Sequence, residues 1–141
     1  MSQQSIEKQQ FVYILDKGGQ IVFYADAENL QNPQDDALLT ASYLTALLQF
    51  TKAITNEEMM NFFEMGKLKV FVKHSSLIPV FYVYLVGKKL KISEKKVNDR
   101  LNKLAKEFES RFSIYDLQEW DGSTDFFSAF IKPFKKIFRR I

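Results

Sequence analysis

From Ile78 to Val86 the chain is apolar almost without a break. A run of this kind has few places to go. Even counted from Leu77, it is half the length of roughly 20 residues that a membrane-spanning helix needs. A strand with one wet face would alternate apolar and polar residues, so unbroken apolar text points to a strand covered on both faces. The run therefore predicts the central strand of a sheet with a layer on either side. Pro79 lacks the N–H that a ladder needs and can sit only near its start.

The rest of the chain supplies neighbours for such a strand. Phe11 to Leu15 and Ile21 to Ala25 are rich in β-branched and aromatic residues, which favour strands. Asp16-Lys-Gly-Gly19 between them has hairpin chemistry, because glycine adopts positive φ without steric cost. Asn61 to Glu64 reads as a short strand and Gly66 as a turn. Lys67 to His74 alternates, with Leu68, Val70 and Val72 on one side and Lys67, Lys69, Phe71 and Lys73 on the other. That pattern predicts a strand with one wet face.

Three helices are expected. Asn32 is a good N-cap and Pro33 suits the first helical position, so one helix should run from Pro33 to Thr55. Ser93 caps a second, from Glu94 to Phe112, whose Val97, Leu101, Leu104, Phe108 and Phe112 share an arc at 100° per residue. Its other positions are mostly charged, which predicts packing by one face only. Ser113 to Glu119 reads as a connection. A third helix should begin near Thr124 or Asp125 and run to the end, bent at Pro133.

At 141 residues the chain fits one domain, spanning 11–141 after a disordered lead-in at 1–10. With 46% apolar residues and 14 Phe, it needs no metal or disulfide to fold, and it has no Cys. No signal core precedes the first strand, and the expectation is a soluble, cytoplasmic protein. The net charge of +3 is unevenly spread. Met1 to Asp36 holds two Lys against six acids, whereas Lys132 to Ile141 holds five basic residues and no acid. An anionic partner would meet the tail.

The order strand, strand, helix, three strands, helix, helix resembles the longin-like, or profilin-like, α+β family from Phe11 onward. The text Phe11-Val-Tyr-Ile-Leu-Asp-Lys-Gly-Gly-Gln-Ile-Val-Phe-Tyr24 resembles the opening hairpin of that family, and Leu68 to Val86 its inner strand pair. The hairpin and Trp120-Asp-Gly-Ser-Thr-Asp-Phe-Phe127 are similar to elements of the longin-like domain of the signal-recognition-particle receptor α subunit. The resemblance implies a five-stranded antiparallel sheet with one helix on one face and two on the other. It also implies a role in vesicle trafficking or GTPase regulation. Its partner would be a small Ras-like GTPase, a SNARE segment, or a second longin- or roadblock-type domain, including a second copy of the chain. No SNARE helix follows the domain in this sequence, which counts against a SNARE role.

Catalytic chemistry finds no foothold. A Ser-His-Asp triad would have to use His74, the single His, with Ser75 or Ser76. Neighbours on an extended strand point to opposite faces and make poor triad partners. Metal binding without Cys or a second His is disfavoured, and no cofactor is expected. Gly18-Gly19 lacks the P-loop spacing and joins two strands. Asp35-Asp36 and Glu57-Glu58 are explained by helix-end charge.

Binding has better candidates. On the 33–55 helix, Leu39, Tyr43, Ala46, Leu47, Phe50 and Ile54 make one apolar stripe, which should lie on the sheet. Ala37, Ala41, Leu44 and Leu48 make a second, about 120° away. The second needs cover from a loop of this chain or from a partner. Phe62 and Phe63 lie on the expected edge strand, which can accept a partner's strand. In the last helix Phe126, Phe127, Phe130, Ile131, Phe134, Ile137, Phe138 and Ile141 fill one arc, and Lys132, Lys135, Lys136, Arg139 and Arg140 the other. Either that basic arc is a solvated face, or the segment after Pro133 leaves the sheet and lies on an acidic membrane or partner. The basic residues outside the tail are scattered, with no aromatic interleaving, which argues against nucleic acid.

Overall fold

The computed structural model describes residues 10–16, 20–26, 61–65, 67–122 and 127–138. The expected lead-in up to residue 9 and the expected helix at 33–55 lie outside them, as do Gly18, Gly19 and Gly66. Five strands are present: β1 (Gln10–Asp16), β2 (Ile21–Asp26), β3 (Asn61–Met65), β4 (Leu68–His74) and β5 (Val80–Gly87). They form one antiparallel sheet in the order β2-β1-β5-β4-β3. The unbroken apolar run is thus the middle strand, and every residue of β5 is buried. Pro79 sits just before it, where no ladder bond is lost. β1 begins at Gln10, inside the expected lead-in, and this side chain is buried.

One row of the sheet crosses all five strands: Ala25, Val12, Tyr84, Phe71 and Phe62 stand opposite one another in turn. This row belongs to the face that packs against helices. Phe71 is only 5% exposed, and Lys69 and Lys73 beside it are half-buried. The expectation of a wet face on β4 is therefore corrected: Phe71 lies between Tyr84 and Phe62, under the aromatic layer. Between Ile14 and Leu15 the β1–β2 register shifts, so that Val22 is an extra residue on β2. The bulge lets Val22 and Phe23 both join the helix-side core. The second face carries Tyr13, Leu15, Val70, Val72, Phe81, Val83 and Leu85, all buried. No described helix packs on it.

The helix layer consists of α1 (Glu94–Arg111), α2 (Ile114–Glu119), a 3₁₀ turn (Ser128–Phe130) and α3 (Ile131–Phe138). The Ser93 side chain accepts from Lys96 N at 3.2 Å, the expected cap. Val97, Leu101, Leu104 and Phe108 are fully buried, each worth about 1.5–3 kcal/mol of hydrophobic stabilisation. α2 corrects the expected connection. Ser113 Oγ accepts from Asp116 N at 3.4 Å while Asp116 Oδ2 accepts from Ser113 N at 2.7 Å, a reciprocal capping box. Gly122, at φ +87°, holds the turn after Trp120 in a conformation that favours glycine.

The last helix is described only from the 3₁₀ turn to Phe138, and its expected start at Thr124 or Asp125 lies outside the described residues. Pro133 falls in the first turn of α3, where a missing N–H is tolerated. Phe127, Phe130, Phe134 and Phe138 are all buried. Phe130 stands edge-on to Phe23 at 5.2 Å and to Phe108 at 5.1 Å, and Phe138 edge-on to Tyr84 at 5.3 Å. Such geometry suits the ring quadrupole. α3 therefore stays on the sheet through Phe138, which corrects the reading in which the chain leaves it after Pro133.

Candidate functional site

Among the described strands β3 pairs with β4 alone and ends the sheet. Its outer backbone groups meet no strand of this sheet. Phe62 rests on Phe71, with ring centroids 5.0 Å apart, yet it is 49% exposed. It is the one member of the helix-side row that reaches solvent. Phe63 is registered opposite Val70. Glu64 and Lys88 form an ion pair at 3.1 Å with both side chains largely exposed, a contact worth about 0–1 kcal/mol. Ala37, Ala41, Leu44 and Leu48, the other expected contact residues, lie outside the described residues.

Lys132, Lys135 and Lys136 are exposed on α3, opposite its buried rings. Arg139 and Arg140 lie outside the described residues. Because Phe134 and Phe138 are in the core, the apolar arc of α3 is not available for insertion into a membrane, and only its charge is presented. Among the described residues no helix is long and apolar enough to cross a membrane.

A feature that sequence reasoning missed lies beneath α1. Arg100 is 5% exposed. Its Nη1 donates to the Tyr84 hydroxyl at 2.6 Å and to Gln10 Oε1 at 3.4 Å, and the Tyr84 hydroxyl donates to Gln10 Oε1. The guanidinium lies 5.8 Å from the Phe138 ring centroid, a cation–π contact. No carboxylate meets it among the described residues, and Gln10 Nε2 has no hydrogen-bond partner there. Burial raises the Tyr84 pKa, with the Arg100 charge pulling the other way. Near the C-terminal end of α1 the Tyr82 hydroxyl donates to Glu109 Oε2 at 2.8 Å. Burial pushes Tyr82 far above the ordinary tyrosine range, and the Glu109 charge adds to it. The signal for the Arg100 cluster was spacing: Arg100 is three residues after Val97 and four before Leu104, inside the apolar arc.

Ser75 and His74, two of the residues considered for catalysis, take part in packing and turn contacts. Ser75 Oγ accepts from Leu77 N at 3.2 Å and Ile78 N at 3.1 Å, closing the β4–β5 turn. His74 stands edge-on to Phe81 at 4.8 Å, half-buried. Among the described residues no group of three or more His, Asp or Glu could hold a metal ion.

No family model matches the chain, and no curated protein matches it either. Solved structures do. The chain is similar to a roadblock/LC7 domain from Streptomyces avermitilis, with TM-score 0.59 and 14% identity over 74% of this chain and 85% of that one. It is also similar to the gliding protein MglB from Thermus thermophilus, with TM-score 0.56 and 10% identity over 74% and 80% of the two chains. A structure described as MglB with tetrameric arrangement aligns with TM-score 0.56 and 10% identity over 73% and 79%. The fold is therefore that of roadblock/LC7 domains, which is longin-like. These neighbours carry nothing specific to the signal-recognition-particle receptor.

Proposed function

We propose that this chain is a protein-interaction module with no covalent chemistry of its own. It pairs either with a small Ras-like GTPase or with a second domain of longin or roadblock type, its own copy included. The observation that carries this reading is Phe62, a large apolar side chain half exposed on an edge strand at the end of an otherwise buried row. A partner strand along β3 would satisfy the outer backbone groups and cover that ring together. The tetrameric arrangement of one MglB structure supports assembly as the use of this fold. The longin resemblance supports a GTPase partner. If the chain alters nucleotide exchange or hydrolysis, it does so by binding one GTPase state better than the other. The proposed contact residues are Phe62 and Phe63 of β3 together with Ala37, Ala41, Leu44 and Leu48 of the 33–55 stretch.

The test is assembly. Phe62→Lys should abolish self-association in sedimentation velocity, or capture of a GTPase from lysate, while circular dichroism stays that of the parent. Leu44→Lys with Leu48→Lys should act in the same direction. If Phe62→Lys assembles as the parent does, the edge is not the interface. The alternative role of peripheral membrane adaptor retains only its electrostatic part, the exposed lysines of α3.

A further inference from the structure

α3 and the C-terminal end of α1 enclose a cleft of about 370 Å³. Arg111 of α1 and Lys132, Pro133, Lys136 and Ile137 of α3 are among the residues that line it. Lys132 and Lys136 are one helical turn apart and so rise from the same side of α3. Glu107 is the one acid in the lining. It meets Arg111 through a single contact at 3.5 Å between two half-exposed side chains, a bond that a stronger anion displaces at little cost. Neither lysine meets a carboxylate among the described residues. Three cations against one acid thus converge on a concave surface, where low-dielectric walls concentrate their field.

The geometry points to this cleft as a binding site for a phosphate monoester. Three converging donors match the three terminal oxygens of such a group, whereas a carboxylate offers two. Arg111 can present its planar fork to two of those oxygens, and the lysine ammonium groups act as point charges on the rest. The concavity favours a discrete anion over a flat charged surface, and a cleft of this size accommodates the sugar or polyol that carries the phosphate. The phosphate could belong to a soluble ester or to a lipid headgroup standing out of a membrane; the recognition chemistry is the same. This inference does not depend on the assembly face at Phe62, and Phe62→Lys should leave it intact.

Amide chemical shifts of the isotope-labelled protein, followed through additions of inorganic phosphate, provide the test. Saturable shifts are expected at Arg111, Lys132 and Lys136, with no saturable response to acetate or chloride at matched ionic strength. Lys132→Gln with Lys136→Gln should weaken phosphate binding by about tenfold or more. Lys132→Arg with Lys136→Arg should retain it. Both positions are on the solvent side of α3, and an unchanged spectrum elsewhere reports an intact fold. Vesicles then separate the sources. Preference for phosphatidylcholine carrying a phosphatidylinositol monophosphate over phosphatidylcholine carrying phosphatidylserine at matched charge assigns a lipid. Phosphate binding without vesicle capture assigns a soluble ester. The inference is overturned if acetate or a poly-glutamate peptide binds the cleft as well as phosphate does. It is equally overturned if the response is unsaturable, or if the double glutamine variant binds phosphate unchanged.

Discussion

Tyr84 holds two other side chains in place with one oxygen: it accepts from Arg100 and donates to Gln10. Removing that oxygen leaves the buried guanidinium, among the described residues, with the 3.4 Å contact to Gln10 as its one hydrogen bond. Tyr84→Phe should therefore lower stability by about 1–3 kcal/mol, the usual cost of stranding a buried polar group. Arg100→Met, which removes the buried charge and leaves the Tyr84–Gln10 bond, should cost less. Urea unfolding of the two variants checks the order. Tyr82 gives a pH prediction. Its folded pKa lies above the unfolded value of about 10, so the unfolded state loses the proton first as pH rises. The stability it contributes is whole below pH about 10 and declines above it. Tyr82→Phe should make the alkaline loss of stability less steep, measured by urea unfolding at several alkaline pH values. Both hydroxyls lie in the apolar run that located β5. Pattern alone placed that strand, but hydropathy counts Tyr as apolar and does not reveal what its hydroxyl will bond.

The elements themselves were legible wherever period and caps agreed. Ser93 and the arc from Val97 to Phe108 placed α1 within a residue of its observed ends, because burial and capping pull the same way. The strands followed from β-branched and aromatic runs bounded by turns. α2 was not legible because it is one short element with no buried residue, so no periodicity announces it. Its only signal was Ser113 three residues before Asp116, a capping box with Asp where Glu or Gln is usual. The two caps should differ in consequence. Ser93→Ala should lower global stability by about 1 kcal/mol, since α1 is part of the core. Ser113→Ala should fray α2 and leave the unfolding midpoint nearly unmoved. Amide hydrogen exchange at Leu117 against the denaturation curve separates these outcomes; a loss of equal size in both variants would mean α2 is integral to the core.

At the level of the whole molecule, the helix-side core is held by an aromatic stack that joins distant parts of the chain. Phe108 of α1 meets Tyr82, Phe112, Phe127 and Phe130, and Phe130 meets Phe23 of β2. Phe108→Ala should cost about 3–5 kcal/mol, a large share of the 5–15 kcal/mol typical of a domain. It should lower the midpoint of both near- and far-ultraviolet transitions together. A split into two transitions would show that the helix layer and sheet unfold separately. The candidate site was partly legible at this scale. The resemblance placed Phe62 on the edge, and register then showed it to be the open end of a covered row. The cleft beside α3 was not, because it depends on Arg111, which comes from a different helix and is distant in sequence.

The two tyrosine hydroxyls of β5 also have a mechanical meaning. A rod pinned at two separate points along its length resists both rolling about its axis and sliding along it. Arg100 and Glu109 fasten α1 in this way to adjacent same-side positions of the middle strand. A force applied anywhere along the sheet is then felt by the helix as a displacement of the whole assembly, so a partner that docks at the rim meets a stiff platform and not a hinge.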